Sequence, residues 1–245
     1  MGKTVQRRLV RKRNLEIALS KVAPHPDPKA HLEQYTIPAN IAAEILYIAA
    51  YVNGDIIGKT VADLGCGTGR LAIGATLLGA REAVGVDIDK TAVKLAWKSA
   101  KESGVKDRTQ WVIAHIDALH GDFDTVLQNP PFGVQKRRAD RSFLKKSLEI
   151  ANRIYSLHKG ESNKELLKRL KEHETKVVPV QPSVFLKRFI EKHGGQIRAT
   201  YAKIMAIPYM FGFHRKRKHE FIVNLYVIER KSRRSYEGGG GGHVS

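Results

Sequence analysis

The chain of 245 residues has one cysteine, Cys66, and that scarcity removes two classes of protein. A lone thiol forms no intramolecular disulfide and builds no cysteine-based metal cluster. The ten histidines show no spaced pair of the zinc-helix type, so no metal is expected. No apolar run approaches the roughly 18 residues of a membrane span, and the first residues lack the apolar segment of a secretory signal. A soluble, cytoplasmic protein without membrane contact is the expectation. Acids are also scarce: 24 Asp and Glu face 43 Lys and Arg, a formal net charge of +19. A lysine-rich surface adapted to heat would add Glu beside Lys. Here it does not, and a field of this sign attracts polyanions. Charge thus implies a nucleic-acid partner without indicating which nucleic acid or what is done to it.

One domain with extensions fits this length. Residues 1–30 read as a basic arm (Lys3, Arg7, Arg8, Arg11, Lys12, Arg13) running into a helix over 13–22, with Leu15, Ala18, Leu19 and Val22 on one face. Residues 31–230 form the main domain. Residues 231–245, with five consecutive glycines, read as a flexible tail outside the fold. Within the domain an apolar helix over 41–52 precedes a regular alternation. Strands are predicted at 60–64, 83–86, 110–114, 125–128 and 154–156, with helices at 70–78, 90–102 and 141–151. Such alternation with short connections means a parallel sheet covered on both faces. Further on, 159–174 is a charged helix candidate and 184–192 an amphipathic one. The segments 196–206 and 221–229 alternate as two β segments that close the sheet as an antiparallel edge hairpin.

The strand at 60–64 runs into Gly65-Cys66-Gly67-Thr68-Gly69 and then a helix, a nucleotide-binding arrangement. Position 70 is arginine, so the dinucleotide spacing fails, and no Gly-Lys-Ser/Thr follows, so a P-loop is excluded. Asp63 precedes the loop. Asp87 ends the next strand, where a carboxylate accepts both ribose hydroxyls of an adenosine cofactor. Either acid could instead be a helix cap, but Asp89, followed by Thr91, is the better cap and leaves Asp87 free. Asp63 to Gly69 with Asp87-Ile88-Asp89 resembles the S-adenosylmethionine motifs of Rossmann-like class I methyltransferases. That resemblance implies an α/β fold with a mostly parallel seven-stranded sheet. It also implies cofactor contacts at Asp63, Gly65, Gly67, Thr68, Gly69, Asp87 and Ile88, with Asp117 near the adenine.

Asn129-Pro130-Pro131-Phe132 follows the fourth strand, at the carboxyl edge where doubly wound folds bind ligands. An exocyclic base amine is a poor nucleophile, its lone pair being delocalised into the ring. The Asn129 side-chain oxygen and the Pro130 carbonyl can each accept one of its N–H bonds and aim the lone pair at a methyl donor. Positioning then carries most of the rate. The prolines stop the strand and stiffen the loop, and Phe132 can stack on a flipped-out base. In isolation this is also a Pro-Pro turn with a buried Phe; beside the glycine loop it marks methylation of a planar nitrogen. Adenine N6, guanine N2, cytosine N4 and a glutamine amide all remain open on the motif alone. Cys66 reads as a small loop residue.

Leu32-Glu33-Gln34-Tyr35, Asn129-Pro130-Pro131-Phe132-Gly133, Ile154-Tyr155-Ser156-Leu157-His158-Lys159 and Phe213-His214-Arg215-Lys216 resemble one group in particular. It is the archaeal and eukaryotic methyltransferase-like family that makes N6-methyladenosine in small-subunit ribosomal RNA. The likeness runs from about residue 13 to 230. It implies that Gln34 lies over the cofactor, that Gly65, Thr68, Asp87, Asp117 and Ala118 line its pocket, and that Asn129 to Phe132 hold the adenine. Relatives carry threonine before the proline where this chain has Ile37, and the charged stretch 160–182 is longer than usual. Lys136, Arg137, Arg138 and Arg141, with Arg215, Lys216, Arg217 and Lys218, are candidates for RNA phosphates. A guanine-N2 RNA methyltransferase, a non-catalytic RNA-binding scaffold and a protein glutamine methyltransferase are the rival readings. The third strand, Thr109 to His115, has no proline or lysine and a central Trp111. Such an undefended edge implies a covering partner, or coverage by the chain itself. In eukaryotic members of the family a small zinc-binding activator adds a strand there.

Overall fold

The computed structural model describes residues 10–29, 34–132, 139–161, 164–172, 177–208 and 218–231. Seven α-helices and eight strands alternate along them. The N-terminal half runs α1 (Lys12–Ser20), α2 (Ala39–Tyr47), β1 (Thr60–Leu64), α3 (Arg70–Leu77), β2 (Glu82–Asp87), α4 (Lys90–Glu102), β3 (Thr109–Ile113) and β4 (Phe123–Gln128). The rest runs α5 (Ala139–Ile150), β5 (Ala151–Lys159), α6 (Lys164–Glu172), β6 (Val178–Pro179), α7 (Val184–Lys192), β7 (Gly195–Pro208) and β8 (Lys218–Arg230). All eight strands share one sheet in the order β3-β2-β1-β4-β5-β8-β7-β6. The first five are parallel neighbours, and β8, β7 and β6 join antiparallel.

Period-two alternation explains why the sheet is covered twice. Val61 of β1 belongs to the core on one face, with Leu15 and Leu19 of α1 and Ile41 and Leu46 of α2. Its neighbours Ala62 and Leu64 belong to the core on the other face, with Leu144 and Leu148 of α5 and Ile190 of α7. β1 and β4, covered on both faces, are buried along most of their length, including the polar Asp63, Thr125 and Gln128. The strand order reverses beside β1, between β2 and β4, which is the switch point where ligands bind in such sheets.

The structure corrects the expected sheet in three places. It has eight strands, not seven, because Val178–Pro179, inside the charged stretch, pairs with Tyr201 and Ala202 of β7. The hairpin of β7 and β8 therefore does not form the outer edge; β6 lies outside it. The predicted short strand at 154–156 is nine residues long, since α5 passes into β5 at Ala151 with no turn residue between them. Accordingly α6 begins only at Lys164, Lys159 being the last residue of β5. The apolar helix predicted over 41–52 starts at Ala39 and closes as a π-helical turn, Ile48–Val52.

Candidate cofactor and acceptor site

Two loops open side by side at the carboxyl ends of β1 and β4. Leu64 is registered opposite Gln128, so the glycine loop and the Asn129–Phe132 loop leave adjacent strands at the same level. Gly65, Gly67 and Gly69 all have left-handed φ values (66°, 52° and 83°), which explains the glycine at each turn position. The backbone N–H groups of Gly65 and Cys66 donate to the Val86 carbonyl at 2.9 and 3.0 Å, pinning the loop to the end of β2. Below the loop lies the Trp111 ring. A Cβ at Gly69 or at Gly85 would collide with it, so this aromatic sets how closely loop and sheet approach. Gly67 faces open space: a Cβ there would meet nothing within 4 Å.

The acids flank that opening. Asp63 is buried and its Oδ2 accepts from the Ala72 N–H at 3.0 Å, capping α3 from the strand below, while Oδ1 has no partner. Burial pushes its carboxyl up to about 7, with the Asp87 charge adding to the shift and the Ala72 bond opposing it. Thr68 Oγ1 is likewise buried and unpartnered. Asp87 accepts from the Gly67 N–H (2.8 Å) and the Asp89 N–H (2.9 Å). Burial raises its pKa against both bonds. Asp89 caps α4 through Thr91 and Ala92, as the sequence predicts. Partial burial raises its carboxyl, but bonds from Gln34, Ala92 and Thr91 outweigh that and hold it below the usual range.

Gln34 reaches the same corner, donating to Asp89 Oδ2 at 2.8 Å and accepting from the Lys29 N–H. Thr36 is turned away, accepting from the His25 N–H at 3.1 Å. Ile88 is half exposed, 52%. Asp117 and Ala118 sit in an exposed 3-10 turn beginning at Ile116. Asp87 is paired with Ile113 across β2 and β3, and the Ala114 N–H donates to the Asp87 carbonyl, so this turn follows directly from the acid's neighbour strand. Gly67's open face and the unpartnered atoms of Asp63 and Thr68 fit an adenosyl cofactor ending in an amino acid. The Cys66 thiol is buried and pushed well above its usual range, first by burial.

On the acceptor side Asn129 is not alone. Its Oδ1 accepts from the Tyr35 hydroxyl at 3.0 Å. The Tyr35 ring lies 5.7 Å from that of Phe132, tilted by 32°, and Phe132 meets Phe221 edge-on at 5.7 Å. Behind the loop Gln128 donates to Ser156 Oγ at 2.8 Å, and Ser156 Oγ shares a 2.8 Å hydrogen bond with His158 Nε2. In the sequence Tyr35, Ser156 and His158 stand out only as members of the resembling segments. Gln128 and the support that Trp111 gives the loop escape sequence reasoning, because no local pattern signals contacts between distant segments. Of the basic residues, Arg141 stacks its guanidinium over Phe185 at 4.4 Å. Lys218 is the first residue of β8. Lys136, Arg137, Arg138, Arg215, Lys216 and Arg217 lie outside the described residues, as do the arm before residue 10 and the glycine tail.

Comparison with known proteins fits this geometry. A family model described as ribosomal protein L11 methyltransferase (PrmA) matches residues 36–130. That span covers β1 to β4 and stops inside the acceptor loop, so it speaks for the cofactor half. The rRNA N(6)-adenosine-methyltransferase Mettl5 of Drosophila melanogaster is 40% identical over 164 residues, 64% of this chain and 76% of that protein. The chain belongs to the rRNA N(6)-adenosine-methyltransferase family. An uncharacterized protein of Methanocaldococcus jannaschii is 39% identical over 232 residues, 91% of this chain and 95% of its own. Among solved structures, a candidate RNA methyltransferase from Pyrococcus horikoshii superposes with a TM-score of 0.76 at 37% identity, over 91% of this chain and 99% of that one. The chain shares the Rossmann-like fold of that structure and stands in an RNA-methyltransferase family. Among the described residues no helix is long and apolar enough to cross a membrane, and no three His, Cys, Asp or Glu side chains group to hold a metal ion.

Proposed function

We propose that the chain methylates N6 of an adenine in small-subunit ribosomal RNA. Membership of the rRNA N(6)-adenosine-methyltransferase family carries the choice of adenine N6, and the pairing of Leu64 with Gln128, which opens the cofactor loop and the Asn129–Phe132 loop next to each other, supports direct transfer. S-adenosylmethionine supplies an electrophilic methyl group when bound. Asp63, Gly65, Gly67, Thr68 and Gly69 would hold its amino-acid end. Asp87 would hold the ribose, and Gln34, Ile88, Asp117 and Ala118 would surround the remainder. Asn129 Oδ1 and the Pro130 carbonyl accept the two N–H bonds of the target amine, which orients the nitrogen lone pair without a strong base. Pro131 stiffens the loop and Phe132 stacks on the base. An amide oxygen has two lone pairs. Tyr35 takes one of those on Asn129, which would leave the other for the target amine.

Lys136, Arg137, Arg138 and Arg141, with the 215–218 cluster, would contact RNA phosphates, in keeping with the net charge of +19. We further propose a small zinc-binding activator on β3, by analogy with eukaryotic relatives. Its support is that β3 pairs only with β2 among the described strands and leaves Val112 and Ile113 exposed, although Trp111 itself turns inward. A cytoplasmic location accords with a ribosomal substrate. The test is Asn129→Ala: S-adenosylmethionine affinity by calorimetry should stay within about twofold while methyl transfer to RNA falls by roughly a hundredfold or more. Retained transfer would remove Asn129 from the chemistry.

A further inference from the structure

A cavity of about 1040 Å³ opens beside the acceptor loop. Phe132 lines it from that loop, and His158 and Tyr226 line it from the sheet. The rest of its lining comes largely from the charged stretch and the start of α7, including Glu165, Arg169, Gln181 and Phe185. A single base needs only part of this space, since pockets of about 300–1,000 Å³ hold whole drug-sized ligands.

The chemistry of the lining narrows the occupant. Among the described residues of the lining, Asp140, Glu161 and Glu165 contribute three carboxylates against two cations, Lys159 and Arg169, on a chain whose net charge is +19. This described lining is richer in acid than the basic chain as a whole. The cavity also offers aromatic surface. Phe132 stands at the acceptor loop, and Phe185 is 49% exposed with the Arg141 guanidinium over its ring. Unpaired RNA bases are held by such aromatic and arginine planes. The lining is also rich in hydrogen-bond acceptors. Besides the carboxylates, Asn224 Oδ1 is buried without a partner.

We propose that this cavity is a second nucleobase site, which takes the base next to the target in the RNA strand and selects one bearing an exocyclic amino group. An amino group donates to the carboxylate and amide acceptors of this lining, whereas a uracil carbonyl in the same place faces carboxylates. The proposal rests on the reading of Asn129 to Phe132 as the holder of the target adenine. Cytidine and uridine differ at this edge by amino against carbonyl, so they make the probe. The full-length chain is assayed with labelled cofactor on short unstructured RNAs that carry one adenosine flanked either by cytidines or by uridines. The expected kcat/KM ratio favours cytidine by roughly tenfold, the discrimination of one good base-edge contact. Glu165→Gln and, separately, the exposed Phe185→Ala should each bring that ratio to about two or less. Equal rates in both contexts with the unaltered chain, or a preference that survives both substitutions, would overturn the second site alone. Absence of adenosine methylation in every RNA would overturn the adenine reading as well.

Discussion

Removing the Tyr35 hydroxyl tests whether the acceptor loop works by orientation. Tyr35→Phe deletes one oxygen, 3.0 Å from Asn129 Oδ1, and keeps the ring that packs 5.7 Å from Phe132. Once released, the Asn129 amide can rotate and present its NH₂ group, which cannot accept a hydrogen bond from the target amine. A neutral hydrogen bond contributes about 0.5–1.5 kcal/mol net. If that energy serves alignment alone, it should appear as a roughly two- to tenfold lower kcat. Cofactor affinity should be unchanged, since no cofactor contact is assigned to Tyr35, and KM for RNA should move little. Single-turnover methylation at saturating RNA, with calorimetry of S-adenosylmethionine binding, separates these quantities. An unchanged kcat, or a loss lying wholly in KM, would refute the orienting role and leave Tyr35 as a packing residue.

Two other expectations concern the Asp63 carboxyl and the basic run at 136–138. The Asp63 carboxyl is held at about 7 against an ordinary value of 3.8, so the folded chain binds this proton more tightly than the unfolded chain does. Its ionisation therefore costs stability as pH rises from about 4 to about 7. Asp63→Asn should flatten that part of the stability–pH curve measured by chemical denaturation, and an identical slope in both proteins would contradict the shift. Neutralising Lys136, Arg137 and Arg138 together should lower the log–log salt slope of RNA binding by about 0.7 for each phosphate these side chains neutralise. An unchanged slope would show that they face solvent.

Much of the parallel half was legible in the sequence. The bounds of β1, α4 and α7 match the apolar periodicity and the capping residues, Asp89 above all. Strand β5 was not legible at full length. Residues such as Ile150 and Ala151 are apolar on either reading, and no glycine or proline marks the passage from helix to strand. Two-residue β6 exists only because β7 lies beside it, so tertiary pairing and not local propensity decides it. The glycine loop could be read because left-handed backbone demands glycine. The partners of Asn129 could not, since Tyr35 lies 94 residues away in sequence and nothing local points to it.

The most direct test of adenine methylation is nucleoside mass spectrometry of RNA that the full-length chain has methylated in vitro with labelled S-adenosylmethionine. The label should appear in N6-methyladenosine within small-subunit ribosomal RNA, and should vanish with Asn129→Ala. Label in N2-methylguanosine, or in protein with none in RNA, would contradict the central claim.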